Sequence, residues 1–156
     1  MGFMNTINIV GSGLTAQQLR LDIVAENVTN SQTTRTENGG GAYRRKMVVF
    51  EAVSGRDTFR DAMARASARA VPNGSANPTA GGVRVTQIME DEETPMKIVY
   101  DPTHPDADEE GYLEMPNVDM VKEIADAMAA SRAYASNVTA FNTLKSVLSS
   151  GLEIGR

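Results

Sequence analysis

A seven-residue repeat of apolar side chains near the amino terminus constrains the fold of this chain more than any other feature. In "INIVGSGLTAQQLRLDIVAENVTN", the residues three and four apart from Ile7 are apolar with one polar interruption: Val10, Leu14, Gln17, Leu21, Val24 and Val28. A stripe with this period on a helix packs against a second helix. We therefore predict a helix from about Asn5 to Asn30 that needs a partner.

The partner is predicted near the carboxyl end of the chain. Apolar side chains recur three and four residues apart in "MPNVDMVKEIADAMAASRAYASNVTAFNTLKSVLSSGLEIG", at Val121, Ile124, Met128, Ala135, Val138, Phe141, Leu144, Leu148 and Leu152. Pro116 stands just before this helix, and Asn117 is predicted to cap it. Asp119 and Glu123 suit the positive end of the helix dipole. The sequence predicts one long helix over about 117–152.

Three short strands are predicted between the helices. "KMVVFEAV" is rich in β-branched and aromatic residues, "GVRVTQIMED" alternates in polarity, and "MKIVYDP" stops at Pro102. Residues 55–82 combine an Arg/Ala-rich run, which is compatible with a transient helix, with a Pro/Gly/Asn/Ser tract, and we predict a flexible loop over the segment. The expected fold is mainly α with a small β insert. Its parts are an amino-terminal helix (1–34), a β-rich insert (35–112) and a carboxyl-terminal helix (113–156), with the helices paired in a coiled-coil layer.

Energetics suggest that the helices need neighbours. The amino-terminal stripe offers six or seven apolar positions, each worth about 1.5–3 kcal/mol when fully buried. Ordering the backbone costs roughly 1–2 kcal/mol per residue, which largely cancels that gain. We therefore expect the terminal helices to become rigid on assembly with other chains. The alternative is a soluble coiled-coil adaptor or chaperone with preformed helices, which would form a stable and ordered dimer in dilute solution.

Composition argues against several classes of function. The chain has no Cys and a single His, so no thiolate metal site, catalytic triad or zinc site is expected. Residues 1–80 carry a charge of +3 and residues 81–156 a charge of −8, which fits protein partners better than nucleic acid. No cofactor, metal or catalytic residue is predicted. No stretch approaches eighteen consecutive apolar residues, and no signal-peptide pattern is present, so membrane insertion is not expected.

Two polar segments resemble ligand-binding sites in their residue types. In "DADEEGYLEMPN", four residues match the start of a calcium loop, but the twelfth position is Asn117 instead of Glu, and Pro102 and Pro105 prevent the entering helix. We expect a solvated turn there, with His104 as an ordinary loop residue. The segment "YRRK" (43–46) is either a solvated strand start or a contact for phosphate or for an acidic partner surface, such as the acidic turn of an adjacent subunit.

The two ends of the chain resemble the flagellar axial proteins of bacteria, the family of rod and hook subunits. The segment "SGLTAQQLRLDIVAENVTNSQTT" fits the amino-terminal signature of that family at Ser12, Gly13, Ala16, Gln17, Leu21, Asp22, Asn27, Asn30, Thr33 and Thr34. Thr29 and Ser31 stand where Ala is more usual. The "DPTHPDADEEGY" segment, and "SRAY" followed by Asn137–Asn142, resemble the proximal rod members more than the hook or distal rod members.

This resemblance implies a subunit that the flagellar type III apparatus exports unfolded and uncleaved. Such a subunit assembles with copies of itself and with other proximal and distal rod subunits into the rod, which crosses the periplasm and transmits torque. In this family the paired terminal helices line the inner tube, outside which the β module lies. The predicted assembly interface, with the asparagines setting register, is Leu14, Leu21, Val24, Asn27, Val28, Asn30, Ile124, Met128, Tyr134, Val138, Phe141, Asn142 and Leu148.

Overall fold

The computed structural model describes residues 3–36, 41–53 and 81–154. In chain order it contains helix α1 (Phe3–Thr29), strands β1 (Lys46–Ala52), β2 (Val83–Glu90), β3 (Lys97–Tyr100) and β4 (Tyr112–Met115), and helix α2 (Met120–Ile154). The predicted class, mainly α with a small β module, is confirmed. The flexible loop predicted over 55–82 lies outside the described residues except for its last two positions.

The amino-terminal helix spans nearly the predicted residues, whereas α2 begins later than predicted. The cap of α2 is Asp119 and not Asn117, so that prediction was wrong. The Asp119 carboxylate accepts a hydrogen bond from the Val121 amide at 3.0 Å, and its carbonyl accepts one from the Glu123 amide at 3.0 Å. Asn117 is unavailable as a cap because its side chain is buried in hydrogen bonds to two loops.

The strands of the described residues form two sheets of two strands each, β1 with β2 and β3 with β4. At one end of the first sheet the Asp91 amide donates to the Arg45 carbonyl at 2.8 Å, and at the other the Val53 amide donates to the Gly82 carbonyl at 2.9 Å. These bonds show that β1 and β2 run antiparallel. The sequence predicted the first three strands and missed β4.

The β3–β4 hairpin has a register that leaves one of its faces outward. Ile98 pairs with Glu114, Val99 with Leu113, and Tyr100 with Tyr112. Leu113 is buried, whereas the side chains of Ile98, Tyr100 and Tyr112 are exposed. Gly111 precedes β4 with a φ of +84°, and a Cβ there would lie 2.9 Å from the Tyr100 ring. The turn therefore requires glycine.

The chain divides into two compact units, and each draws on both helices and on the middle of the sequence. The first unit consists of Met1–Ala16, Phe50–Thr86 and Tyr134–Arg156, and the second of Gln17–Val49 and Gln87–Ala133. Among the described residues, no helix is both long and apolar enough to cross a membrane.

Candidate assembly surface

A buried polar cluster organises the second unit around the side chain of Asn27 on α1. Asn27 is 1% exposed. Its amide nitrogen donates to the Lys46 carbonyl at 2.9 Å and to Glu123 Oε2 at 3.0 Å. Its oxygen accepts bonds from the Tyr43 hydroxyl and the Lys46 amide, both at 2.9 Å. All four hydrogen bonds that an asparagine side chain can make are present. We call Asn27, Tyr43, Arg45, Lys46 and Glu123 the polar cluster.

The carboxylate of Glu123 on α2 is buried within this cluster, with a relative exposure of 0%. Arg45 Nε donates to Glu123 Oε1 at 2.5 Å. The same guanidinium lies 3.3 Å from Asp126, which also accepts a bond from Arg20 of α1 at 2.9 Å. A buried carboxylate is tolerated when it is paired and hydrogen-bonded, and both conditions hold here. Arg45 therefore balances a charge that α2 buries against α1.

Three of the four residues in the "YRRK" segment are used inside the second unit. Burial, followed by the charges of Glu26, Glu123 and Glu90, holds the pKa of Tyr43 well above its usual value of 10. Tyr43 therefore stays protonated and donates to Asn27. Lys46 Nζ lies 2.5 Å from Glu26 Oε1 and 5.6 Å from the centre of the Tyr43 ring. Arg44, in contrast, is exposed.

A second buried amide, Asn117, joins the residue before β1 to the loop after β2. Its oxygen accepts a bond from the Arg45 amide at 2.8 Å, and its nitrogen donates to the carbonyls of Asp91 and Thr94 at 2.9 and 3.0 Å. The Asp91 carboxylate accepts bonds from the amide and hydroxyl of Thr94, which lower its pKa. The start of α2, the loop and β1 are thereby fixed to one another.

The acidic turn between β3 and β4 uses carboxylates to bind its own backbone. Asp101 accepts bonds from the amide and hydroxyl of Thr103, which lower the pKa of Asp101. Asp108 accepts bonds from the amides of Glu110 and Tyr112, and Asp106 accepts one from the Thr34 hydroxyl. Among the described residues, no group of three acidic, His or Cys side chains could hold a metal ion.

In the first unit, the "GSG" segment of α1 brings two other elements close. A Cβ at Gly13 would lie 3.0 Å from Asn137 Nδ2 on α2, so the helices approach closely there. The Ser12 hydroxyl accepts a bond from the Val83 amide at 3.0 Å and donates to the Ile9 carbonyl at 2.7 Å. The small residues Ser12 and Gly13 therefore allow contacts that larger side chains would prevent, whereas a Cβ at Gly11 would meet nothing within 4 Å.

Apolar side chains on α2 remain uncovered. Val121 is 77% exposed, and Ile124 and Met128, three and seven residues later, are each about half exposed. Further along the helix, Phe141, Leu148 and Leu152 are also exposed. Single exposed apolar residues are ordinary, whereas contiguous exposed apolar patches are typical of interaction sites.

The structure separates the predicted interface residues into two groups. Buried or half-buried positions within the protomer are Leu14, Leu21, Val24, Asn27, Val28, Asn30, Tyr134 and Val138. Exposed positions are Ile124, Met128, Phe141, Asn142 and Leu148. The side chains of α2 that are buried in the second unit are Glu123 and Ala130, so Ile124 and Met128 point elsewhere.

Sequence reasoning missed most of the polar cluster. Glu123 was read as a helix-dipole residue and Asn117 as a cap, and the roles of Tyr43 and Arg45 were not seen. The sequence did contain one indication of this role. Glu123 lies two residues after Val121 and one before Ile124, which places it off the apolar stripe and on the opposite side of the helix from Val121. An acidic residue there needs a basic partner when that side is buried, and "YRRK" is the most basic segment among the described residues.

Comparison with known proteins agrees with this architecture. The family model described as flagella basal body rod protein matches residues 7–35, and the model described as flagellar basal body rod FlgEFG protein C-terminal matches 109–154. The two matches cover most of α1 and all of β4 and α2. The ends of the chain therefore carry the features of flagellar basal-body rod proteins as a class.

Relatives that align over the full length of the chain identify the family within this class. The flagellar basal-body rod protein FlgC of Bacillus subtilis is 40% identical over 100% of both chains. That of Borreliella burgdorferi is 39% identical over 99% of this chain and 98% of its own. That of Escherichia coli O157:H7 is 37% identical over 100% of both chains. The chain belongs to the FlgC family of flagellar basal-body rod proteins.

Proposed function

We propose that this chain is a structural subunit of the proximal rod, which assembles through its terminal helices into the shaft that carries motor torque. The observation that carries the proposal is the exposed apolar run on α2. An isolated chain leaves Ile124, Met128, Phe141 and Leu148 in water, although they recur at helical spacing. Neighbouring subunits that cover these side chains would gain the corresponding hydrophobic free energy.

The interior of the second unit supports a mechanical role. Asn27, Glu123 and Arg45 connect α1, α2 and the start of β1 through hydrogen bonds of 2.5–3.0 Å. Such a network resists sliding of one helix along the other, because each displacement leaves a buried donor or charge unpaired. Torque transmission requires this resistance. We therefore propose a role in force transmission without catalysis.

The proposed partners and location follow from family membership. The chain would contact copies of itself and other proximal and distal rod subunits, and would meet the export apparatus only in transit. Its place would be the rod segment of the basal body within the periplasm, reached without cleavage of a signal peptide. Relatives named as flagellar basal-body rod proteins support the basal-body location.

Replacement of Phe141 by Asp tests the proposal. Phe141→Asp places a charge on the exposed apolar run of α2, and we expect a strain with this substitution to lack assembled rods and to be non-motile. Ser136→Asp is the matched control, because it adds the same charge at an exposed position of the same helix. Circular dichroism of the purified chains checks that both fold. A motile Phe141→Asp strain would refute the helix interface, and a stable dimer in dilute solution would favour an adaptor.

A further inference from the structure

The β3–β4 hairpin presents an exposed apolar and acidic surface. Ile98 and Glu114 are paired across the strands, as are Tyr100 and Tyr112, and alternate pairs lie on one face. Ile98 is 69% exposed, and the two tyrosine rings contact each other edge to face with centroids 5.4 Å apart. We call Ile98, Tyr100, Tyr112 and Glu114 the hairpin face.

A cavity adjoins this face. It has a volume of about 320 Å³ and is lined by Ile98, Asp108, Tyr112, Leu113 and Glu114. A cavity of roughly 150 Å³ is enough to hold a benzene molecule. The cavity beside the hairpin therefore has room for one large apolar side chain from a partner.

The start of α2 presents a surface of opposite charge. Val121, Ile124, Met128 and Arg132 are exposed and spaced three or four residues apart, so they lie along one side of the helix. We call these four residues the helix face. Lys122 is exposed beside it. Asp126, the acidic residue of these turns that is not buried, is turned toward Arg20 and Arg45.

The two surfaces complement each other within a single sequence. The hairpin face contains Glu114, and the turn that connects its two strands contains the exposed residues Glu109 and Glu110. Lys97, the residue before Ile98, lies on the other side of β3 and donates to the Val118 carbonyl at 2.9 Å. An acidic apolar surface and a basic apolar surface on the same chain attract each other between copies.

We propose that the helix face of one copy docks on the hairpin face of the next copy, with Met128 or Ile124 entering the cavity. This inference rests on the proposed function, because it names a second copy as one of the rod contacts. Two different surfaces in contact make a heterologous interface, which propagates as an open helical assembly unless it closes into a ring. An assembly of copies joined by this interface can extend the rod without forming a two-fold dimer.

Engineered cysteines test the contact directly, because the natural chain has none. Full-length Ile98→Cys and Met128→Cys chains are each treated with a short bismaleimide cross-linker, separately and as an equal mixture. A contact made by a few side chains falls among weak interfaces, so the protein is used at about 100 µM. We expect a covalent dimer in the mixture at a yield at least fivefold above either chain alone. The chain carrying both cysteines should give a ladder of trimers and larger species.

Each other result contradicts a stated part of the proposal. Equal dimer yields from Met128→Cys alone and from the mixture would mean that like faces meet, as in a two-fold dimer. A mixture yield no higher than that of Glu92→Cys with Met128→Cys would exclude a second copy on the hairpin face, since Glu92 is exposed on another loop. The proposed rod function, tested by Phe141→Asp in cells, would survive either result.

Charge reversal provides a second readout. Glu114→Lys in the Ile98→Cys chain should lower the dimer yield of the mixture severalfold, because it places a like charge against Arg132 and Lys122. Glu153→Lys, an exposed reversal near the end of α2, is the control and should leave the yield unchanged. An undiminished yield with Glu114→Lys would overturn the proposed charge pairing.

Discussion

The amide nitrogen of Asn27 on α1 lies 3.0 Å from the Oε2 atom of Glu123 on α2, although the two residues are 96 positions apart in sequence. Both side chains are buried, and each has further partners on the segment that leads into β1. The contact and these further bonds together set the alignment of both helices and of the strand. Such a contact is costly to break, because it leaves a buried charge or donor unsatisfied.

Asn27→Asp should destabilise the protein strongly. The substitution turns the amide into a carboxylate oxygen that faces Glu123 Oε2 and the Lys46 carbonyl, both of which are acceptors. We expect the free energy of unfolding to fall by about 3 kcal/mol. Urea denaturation of the purified chain measures this loss.

Asn142→Asp is the matched control for that change. Asn142 is exposed on α2, and substitutions at exposed positions usually change stability by about 0.5 kcal/mol or less. A loss at Asn27 as small as the loss at Asn142 would mean that the polar cluster does not hold the helices together.

Arg45→Ala should cost more than Arg45→Ala combined with Glu123→Gln. The single change leaves the Glu123 carboxylate buried without its cation, which costs about 3–5 kcal/mol in comparable pairs. Neutralising Glu123 as well removes the unpaired charge, so the double variant should recover part of the loss. The double-mutant cycle, measured by urea denaturation, gives the coupling free energy. Additive effects of the two changes would contradict the pairing.

Much of the fold could be predicted from the sequence, because local signals specify it. The apolar periodicity of α1 and α2 and the β-branched runs of the first three strands were sufficient to locate these elements. β4 was missed because "YLEM" is short and lies directly before the predicted helix. Asp119, not Asn117, caps α2, because the Asn117 amide is buried between the Arg45 amide and the loop carbonyls.

The candidate site was less accessible to sequence reasoning. The apolar stripe of α2 was found, but its division into buried and exposed positions depends on which side of α2 meets α1. That choice is set by Glu123 and Asp126, which bind Arg45 and Arg20. Ion pairs between residues more than 75 positions apart have no periodic signature in one sequence. The tertiary partners therefore had to be seen in the structure.

Gly111→Ala should destabilise the β3–β4 hairpin. Gly111 has a φ of +84°, and a Cβ there would lie 2.9 Å from the Tyr100 ring and 3.1 Å from Pro102. Strain of this kind costs about 1–3 kcal/mol. Gly151→Ala is the control, since a Cβ there meets nothing within 4 Å, and alanine favours helix. Amide exchange over 97–115 should rise in Gly111→Ala alone, and equal exchange in both variants would contradict the strain.

Acid should reveal the contribution of Asp91. Hydrogen bonds from Thr94 hold the pKa of Asp91 below its ordinary value of 3.8 in the folded chain. The stabilisation is therefore fully present above that value and is lost as the pH falls below it toward the folded-state pKa. We expect Asp91→Asn to cost about 1 kcal/mol at pH 7 and less at pH 3, measured by urea denaturation. Glu92→Gln, at the exposed neighbouring carboxylate, is the control. A cost at pH 3 as large as that at pH 7 would contradict this assignment.

The last turns of α2 should exchange their amide protons rapidly in the isolated chain. Between residues 141 and 153 every side chain is exposed except that of Leu144, which is half-buried. A helix without a packed face is marginal in water, so its opening free energy is close to zero. Residues 120–130 contain Glu123 and Ala130, both buried, and should exchange slowly. Hydrogen exchange on the purified chain in dilute solution compares the two segments.

Slow exchange over 141–153 would show that this part of α2 is stable before assembly. Fast exchange that becomes slow in assembled rods would show that neighbouring subunits stabilise it.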